Sequence, residues 1–404
     1  MKNLKTKKLN SETTAIIDIW SYKVRVAICE FSDSSIKLLS FAEKRQSAFD
    51  IVNNQIKNLE WVCETIKIAI KKAEEKALLK VDNFAINPIF WDTFFYSKKI
   101  SYKRENPFKL IDEIELKNII KKTEEIHFLS ATKQIYENYL YPVSDLEIII
   151  SNISEIKIDW KVTKELLQNT WRLINLNILN VFLNKNNIEL LNYISKYLKK
   201  DLKKILPEEF CLSKIWEKKK EVVIIDIWNS NSYITVKDAN SNIFGTVKIW
   251  VWIESLVKKI ASKSKFSRIE IIKKINREDF YPEEKKEFLE IFVFLIAQGL
   301  QEIMWEIPTP NNFFVIWGWW NNSFVKKFIE NYDFSKYIKI DKKIKFLIPN
   351  VKKIWKIENV EKILNKSNLN LISMILTYND ILKHKKNKIE IILKDVIKEI
   401  IKEK

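Results

Sequence analysis

Three glycines in 404 residues, set against fourteen tryptophans, constrain this chain more than any other feature. A soluble protein of this length ordinarily carries roughly 28 glycines, at about 7%, and a chain that turns often needs them. The composition is otherwise that of a globular protein, 47% hydrophobic and 30% charged. That excludes wholesale disorder, a collagen-like repeat and a disulfide scaffold, and the length admits two or three domains. No run of about 18 uncharged apolar residues is present, and the basic Met1 to Asn10 stretch lacks the apolar segment of a secretory signal. Cys29, Cys63 and Cys211 have no metal or redox spacing, and His127 and His384 cannot build a zinc site unaided, which points to a reducing cytosol.

A formal charge of +18 would suit a nucleic-acid binder. Only six of the 70 basic residues are Arg, however, and the Lys are spread along the whole chain among abundant Ile and Asn. AT-rich coding produces that mixture, so we read solvated Lys faces and expect no nucleic-acid partner.

The tryptophans fall at the ends of buried-strand patterns. Ala15 to Ile19 runs into Trp20-Ser21-Tyr22-Lys23 and returns as Val24 to Ile28. Val222 to Ile227 runs into Trp228-Asn229-Ser230 and returns as Tyr233 to Val236, so one hairpin unit is used twice. Phe313 to Ile316 runs into Trp317-Gly318-Trp319-Trp320, followed by a loop and a helix start near Ser323. Turns of this kind require positive φ or close backbone approach, which a bulky residue resists by roughly 1–2 kcal/mol per position. Read as glycine, the tryptophans make all three segments phosphate-cradling turns. Some bacterial lineages decode UGA as glycine and others as tryptophan, so translation with the wrong table writes Trp at glycine codons. The alternative, a truly Trp-rich core or stacking surface, would follow strand or helix periodicity and not turns. Likewise Asp18 and Asp226, in the recurring Ile-Ile-Asp-Ile context, are either phosphate-site carboxylates or strand-end caps of a turn.

With glycine at those positions, the three segments resemble, in order, the phosphate-1, phosphate-2 and adenosine motifs of the actin-like ATPase superfamily. Within it the chain is similar to the bacterial cell-division family FtsA. Asp18, Trp20, Ser21 and Lys23 match that family's Asp-x-Gly-Thr/Ser-x-Lys; Thr246 to Ile253, with Trp250 and Trp252, match a strand ending in a glycine pair. Arg268 to Lys273 resembles its Ala-Glu-x-x-Lys helix, in which Glu270 and Lys273 would reach the nucleoside. Phosphate 2 departs from the family, because Asn229, Ser230 and Asn231 stand where further glycines and a Thr are usual.

The resemblance implies a two-lobed α/β fold of the actin (ribonuclease H-like) type. Lobe 1 would occupy 11–80 and 199–220, an FtsA-type inserted subdomain 81–198, and lobe 2 221–366 with a short subdomain at 263–290. A closing helix would follow at 367–383, a basic linker at 384–388 and a terminal helix at 389–404. It implies ATP and Mg²⁺, the ion held through water by Asp18 and Asp226. The nucleotide would be gripped by Trp20, Ser21, Tyr22, Lys23, Trp228, Asn229, Ser230, Trp317, Gly318, Trp319 and Trp320, as anion nests and a helix N-terminus. No residue presents itself as the water-activating base, and slow or absent turnover is expected.

At the C-terminus Ile389, Ile392, Leu393, Val396, Ile397, Ile400 and Ile401 recur at helical spacing on one face. The residues alone allow a docking or coiled-coil helix; the resemblance implies an amphipathic membrane anchor that binds reversibly and gains hold through avidity. The implied function is that of an ATP-binding protein that self-associates into filaments and tethers FtsZ to the cytoplasmic face of the membrane at the division site. A pilus-assembly scaffold of PilM type is the alternative, and a small-molecule kinase is a more distant one.

Overall fold

The computed structural model describes residues 11–402 apart from 48, 53–54, 89–91, 160, 164–165, 168–169, 217–219, 228–231, 240–242, 250–252, 268–269, 272–273, 275–282, 306, 318–327, 348–353, 366–367 and 385–387. Lobe 1 begins with the antiparallel strands β1 (Glu12–Ile19), β2 (Lys23–Phe31) and β3 (Ile36–Arg45), every residue of β1 from Thr14 onward being buried. After the small hairpin β4 (Ile51–Val52) and β5 (Gln55–Ile56), helix α1 (Leu59–Ala77) crosses the sheet. Its apolar positions Val62, Ile66, Ala69, Ile70 and Ala73 recur at three- and four-residue spacing, and its start is capped by the Asn58 side chain. Strand β6 (Asn83–Ile86) then returns parallel to β1.

An insertion follows. Strands β7 (Thr93–Lys103), β8 (Leu146–Ile158), β9 (Lys161–Val162) and β10 (Leu173–Asn184) form a separate sheet in the order β7-β10-β8-β9, and α2 (Glu113–Tyr139) packs on it. Asp112 caps α2 by accepting from the Glu115 amide at 2.8 Å. His127 on this helix is a neutral core histidine: burial pushes it down to about 3, and Asn180 bonds it at 3.0 Å. The chain re-enters lobe 1 through α3 (Lys185–Leu198), β11 (Asp201–Ile205) and α4 (Glu208–Lys214). Of the stretch 81–198 expected as insertion, β6 joins the lobe 1 sheet and α3 joins the core under α1, so the inserted sheet is drawn from 93–184.

Lobe 2 contains β12 (Val222–Ile227), β13 (Ser232–Lys237), β14 (Ile243–Ile249), α5 (Ile253–Lys263), α6 (Glu283–Met304), β15 (Asn312–Trp317) and β16 (Lys345–Phe346). Gly299 lets α6 lie close on β13, since a Cβ there would meet Ile234 Cδ1 at 2.8 Å. β17 (Ile357–Glu358) crosses back to pair with β3, and α7 (Leu369–His384) packs on α4 in a core between the lobes that includes Trp216. Helix α8 (Lys388–Lys402) ends the described chain.

The two lobes repeat one topology. Lobe 1 runs β3-β2-β1-β6-β11 and lobe 2 runs β14-β13-β12-β15-β16, each with two antiparallel pairings followed by two parallel ones. The hairpin repeat legible in the sequence is thus the first two strands of a five-stranded unit used twice.

Trp305 follows α6 with φ 49°, the left-handed region that bulky residues avoid, and its amide bonds Gln301 O at 2.8 Å. Glycine is the usual residue at such a helix end. Because the Trp305 side chain is largely exposed, Trp305→Gly is expected to stabilise the fold by about 1 kcal/mol through relief of backbone strain. Urea unfolding monitored by circular dichroism checks it; a loss of stability would show that the indole contributes more than the strain costs. No described helix is long and apolar enough to cross a membrane.

Candidate nucleotide cleft

The parallel strands bring their C-terminal ends to one place, where ligands of α/β sheets bind. At the ends of β1, β6 and β11 stand Asp18, Asn87 and Glu208; at the ends of β12 and β15 stand Asp226 and Trp317, whose strands pair in register from Ile227 to Trp317. Desolvation first, then the charges of Asp226, Asp18 and Glu209, push the Glu208 carboxyl well above its ordinary range, with Arg25 pulling the other way. The two repeated aspartates thus contribute to one acidic cluster with Glu208.

Asp18 is fully buried and committed on both oxygens. Oδ2 takes the Arg25 guanidinium in a buried ion pair, while Oδ1 accepts from the Trp20 indole N–H at 3.1 Å, Asn370 Nδ2 at 3.0 Å and Asn87 Nδ2 at 3.2 Å. Arg25 sits directly opposite Asp18 in the hairpin register, and its Nη1 donates to Asn368 Oδ1 at 3.1 Å. Burial raises the Asp18 carboxyl and the Arg25 charge draws it back. In this arrangement the Asp18 carboxylate is paired with a guanidinium and its Oδ1 is closed by three N–H donors, so Mg²⁺ held there would compete with these partners. Asp226 is buried at the end of β12. Among the described residues no group of three or more His, Cys, Asp and Glu could hold a metal ion.

Trp20 occupies the space where the phosphate turn would receive its ligand. Its indole lies over the Arg25 guanidinium, 3.9 Å from ring to Cζ, and meets Tyr22 edge-on at 5.6 Å. The turn closes by Trp20 N donating to Lys23 O at 2.8 Å, and none of residues 20–22 has positive φ. The backbone expectation therefore fails at this turn, and what glycine would supply there is room. Lys23 pairs with Glu43 at 3.0 Å and stands over the Tyr22 ring, so its charge is committed within the hairpin. Ser21 is half-buried in the same turn.

Trp228, Asn229, Ser230, Trp250, Trp252, Lys273, Gly318, Trp319 and Trp320 lie outside the described residues. Trp317 ends β15. Glu270 is exposed and its carboxylate accepts from the Ser267 amide and hydroxyl, each at 2.8 Å, as a local helix-start cap.

Arg25, Asn87, Glu208, Asn368 and Asn370 escaped the sequence reading. Arg25 was detectable, because the hairpin alternation places it across from Asp18. Glu208, opening a helix after Pro207, had only the weaker signal of an acidic first turn.

No protein-family model matches the sequence, and no curated protein matches it significantly. Solved structures do match. PilM, in the PilM–PilN type IV pilus biogenesis complex, superimposes with a TM-score of 0.58 at 7% identity, covering 91% of this chain and 98% of that one. The ethanolamine utilization protein EutJ from Carboxydothermus hydrogenoformans gives 0.46 at 9% identity over 91% and 89% of the two chains. A nucleotide-free diol dehydratase-reactivating factor gives 0.47 at 9% identity over 91% and 100%. The chain has an actin-like ATPase fold, with two copies of one five-stranded unit.

Proposed function

We propose that this protein is an ATP-binding scaffold of the FtsA kind, turning ATP over slowly or not at all, self-associating, and tethering FtsZ to the cytoplasmic face of the membrane at the division site. The observation that carries the reading is the twice-used five-stranded unit with Asp18 and Asp226 at equivalent strand ends. Slow turnover is supported by the cleft, where burial and the neighbouring carboxylates disfavour the charged form of Glu208 and Asp18 is paired with Arg25. Partner choice rests on the ordered phosphate and adenosine segments and on the apolar face of α8.

A second reading, a pilus scaffold, is favoured by the likeness to PilM over nearly its whole length. Co-sedimentation with FtsZ filaments and binding to a PilN peptide separate the two. Pelleting with FtsZ is the expected result; peptide binding without FtsZ pelleting would replace the division reading with the pilus one.

A further inference from the structure

The apolar face of α8 is already in use. Ile389, Leu393, Val396, Ile397 and Ile400 are buried in one core with Leu116, Ile119 and Ile120 of α2 and Ile148 of β8. These belong to the face that the family resemblance assigns to lipid. Three ion pairs fasten the helix: Lys388 to Glu113, Glu399 to Lys117 at 2.5 Å and Glu399 to Lys121 at 3.8 Å. All three involve partly exposed side chains, the kind that hold weakly and are screened by salt. Along its other edge α8 borders a cavity of about 510 Å³, walled by Ile149 of β8, Phe210 of α4 and Ile381 of α7. The helix is thus seated firmly on the inserted subdomain and loosely toward lobe 1.

We propose that α8 is a latch with two exclusive seats, the α2–β8 face of the inserted subdomain and an anionic lipid surface. One apolar face cannot be buried in both, so docking sets the membrane affinity, and the α2–β8 face is uncovered only in the membrane-bound form. The proposal rests on the membrane reading above and deepens it.

The test uses the full chain with vesicles of phosphatidylglycerol and phosphatidylethanolamine. A Lys117→Cys/Glu399→Cys variant is bridged by a short bismaleimide; Cys29, Cys63 and Cys211 are buried and shielded from the reagent. The bridged protein is expected to bind vesicles at least tenfold less than the same variant unbridged. Glu399→Lys, which sets like charges against Lys117 and Lys121, is expected to bind several-fold more than Asp395→Lys, which adds the same charge away from the seat. Hydrogen exchange in residues 113–123 should rise when vesicles are added. Equal binding of bridged and unbridged protein overturns the latch and leaves the membrane reading standing. Absence of binding by every variant overturns both.

Discussion

A chain carrying Trp20→Gly, Trp228→Gly, Trp317→Gly, Trp319→Gly and Trp320→Gly is expected to bind ATP with a Kd in the micromolar range, about −7 to −8 kcal/mol, where the chain as written gives no heat. The Trp20 indole fills the first turn, lying on Arg25 and bonded to Asp18. Glycine there empties the space that the indole takes up at the first hairpin and would let a phosphate approach the backbone N–H groups of the turn. The change has a cost, since the stack on Arg25 contributes up to about 2 kcal/mol when desolvated. Calorimetry with and without Mg²⁺ reads the result. An affinity no better than that of the parent chain would remove the nucleotide reading. Mass spectrometry of the native protein is the companion measurement: glycine masses at these positions and at 305 are expected, and tryptophan masses would end the recoding idea.

Breaking the buried pair comes second in size. Arg25→Ala leaves the Asp18 carboxylate fully buried without its counter-charge, a change that costs about 3–5 kcal/mol in such pairs. Its pH dependence has a definite sign. Burial already raises the Asp18 carboxyl and Arg25 is the main force lowering it, so removing Arg25 raises it further. A group whose folded pKa lies above its unfolded value loses its stabilising contribution as pH climbs through the folded pKa. The deficit of Arg25→Ala should therefore be smaller at pH 5 than at pH 8 in urea unfolding. Asp18→Asn/Arg25→Met, which removes both charges, should recover most of the loss. A double variant as unstable as the single one would show that Arg25 matters through packing alone.

Local pattern made much of the fold legible. The alternation after Asp18 and Asp226 marks both hairpins, and both form as antiparallel pairs. Asp112 before Glu113 marks the start of α2, and the apolar run 313–317 marks β15. Such signals are readable because a strand or helix announces its own period and caps. The domain limits were less legible: β6 and α3 look locally like parts of the insertion, and only pairing with β1 and packing on α1 assign them to lobe 1.

The cleft divides in the same way. Asp18 and Asp226 were found because their context repeats along the chain. Asn87, Asn368 and Asn370 were not, because they reach this hairpin from 69, 343 and 352 residues away in sequence along their bonds to Asp18 or Arg25. The crowding of Asp18 was hidden for the same cause, since its charge is answered by a neighbour across the hairpin and its Oδ1 is closed by Trp20 of the same turn and by Asn87 and Asn370 from two other places in the chain.

The C-terminal helix shows the boundary between the two kinds of information. Its seven apolar residues at helical spacing determine by themselves that α8 forms and which face it must bury, because amphipathicity is a property of periodicity. What covers that face is a matter of tertiary contact, and in this structure it is α2 and β8. The glycine deficit divides likewise. The sequence alone marks the turns by their misplaced tryptophans, but only the structure shows that Trp20 offends by filling space and Trp305 by holding a left-handed backbone.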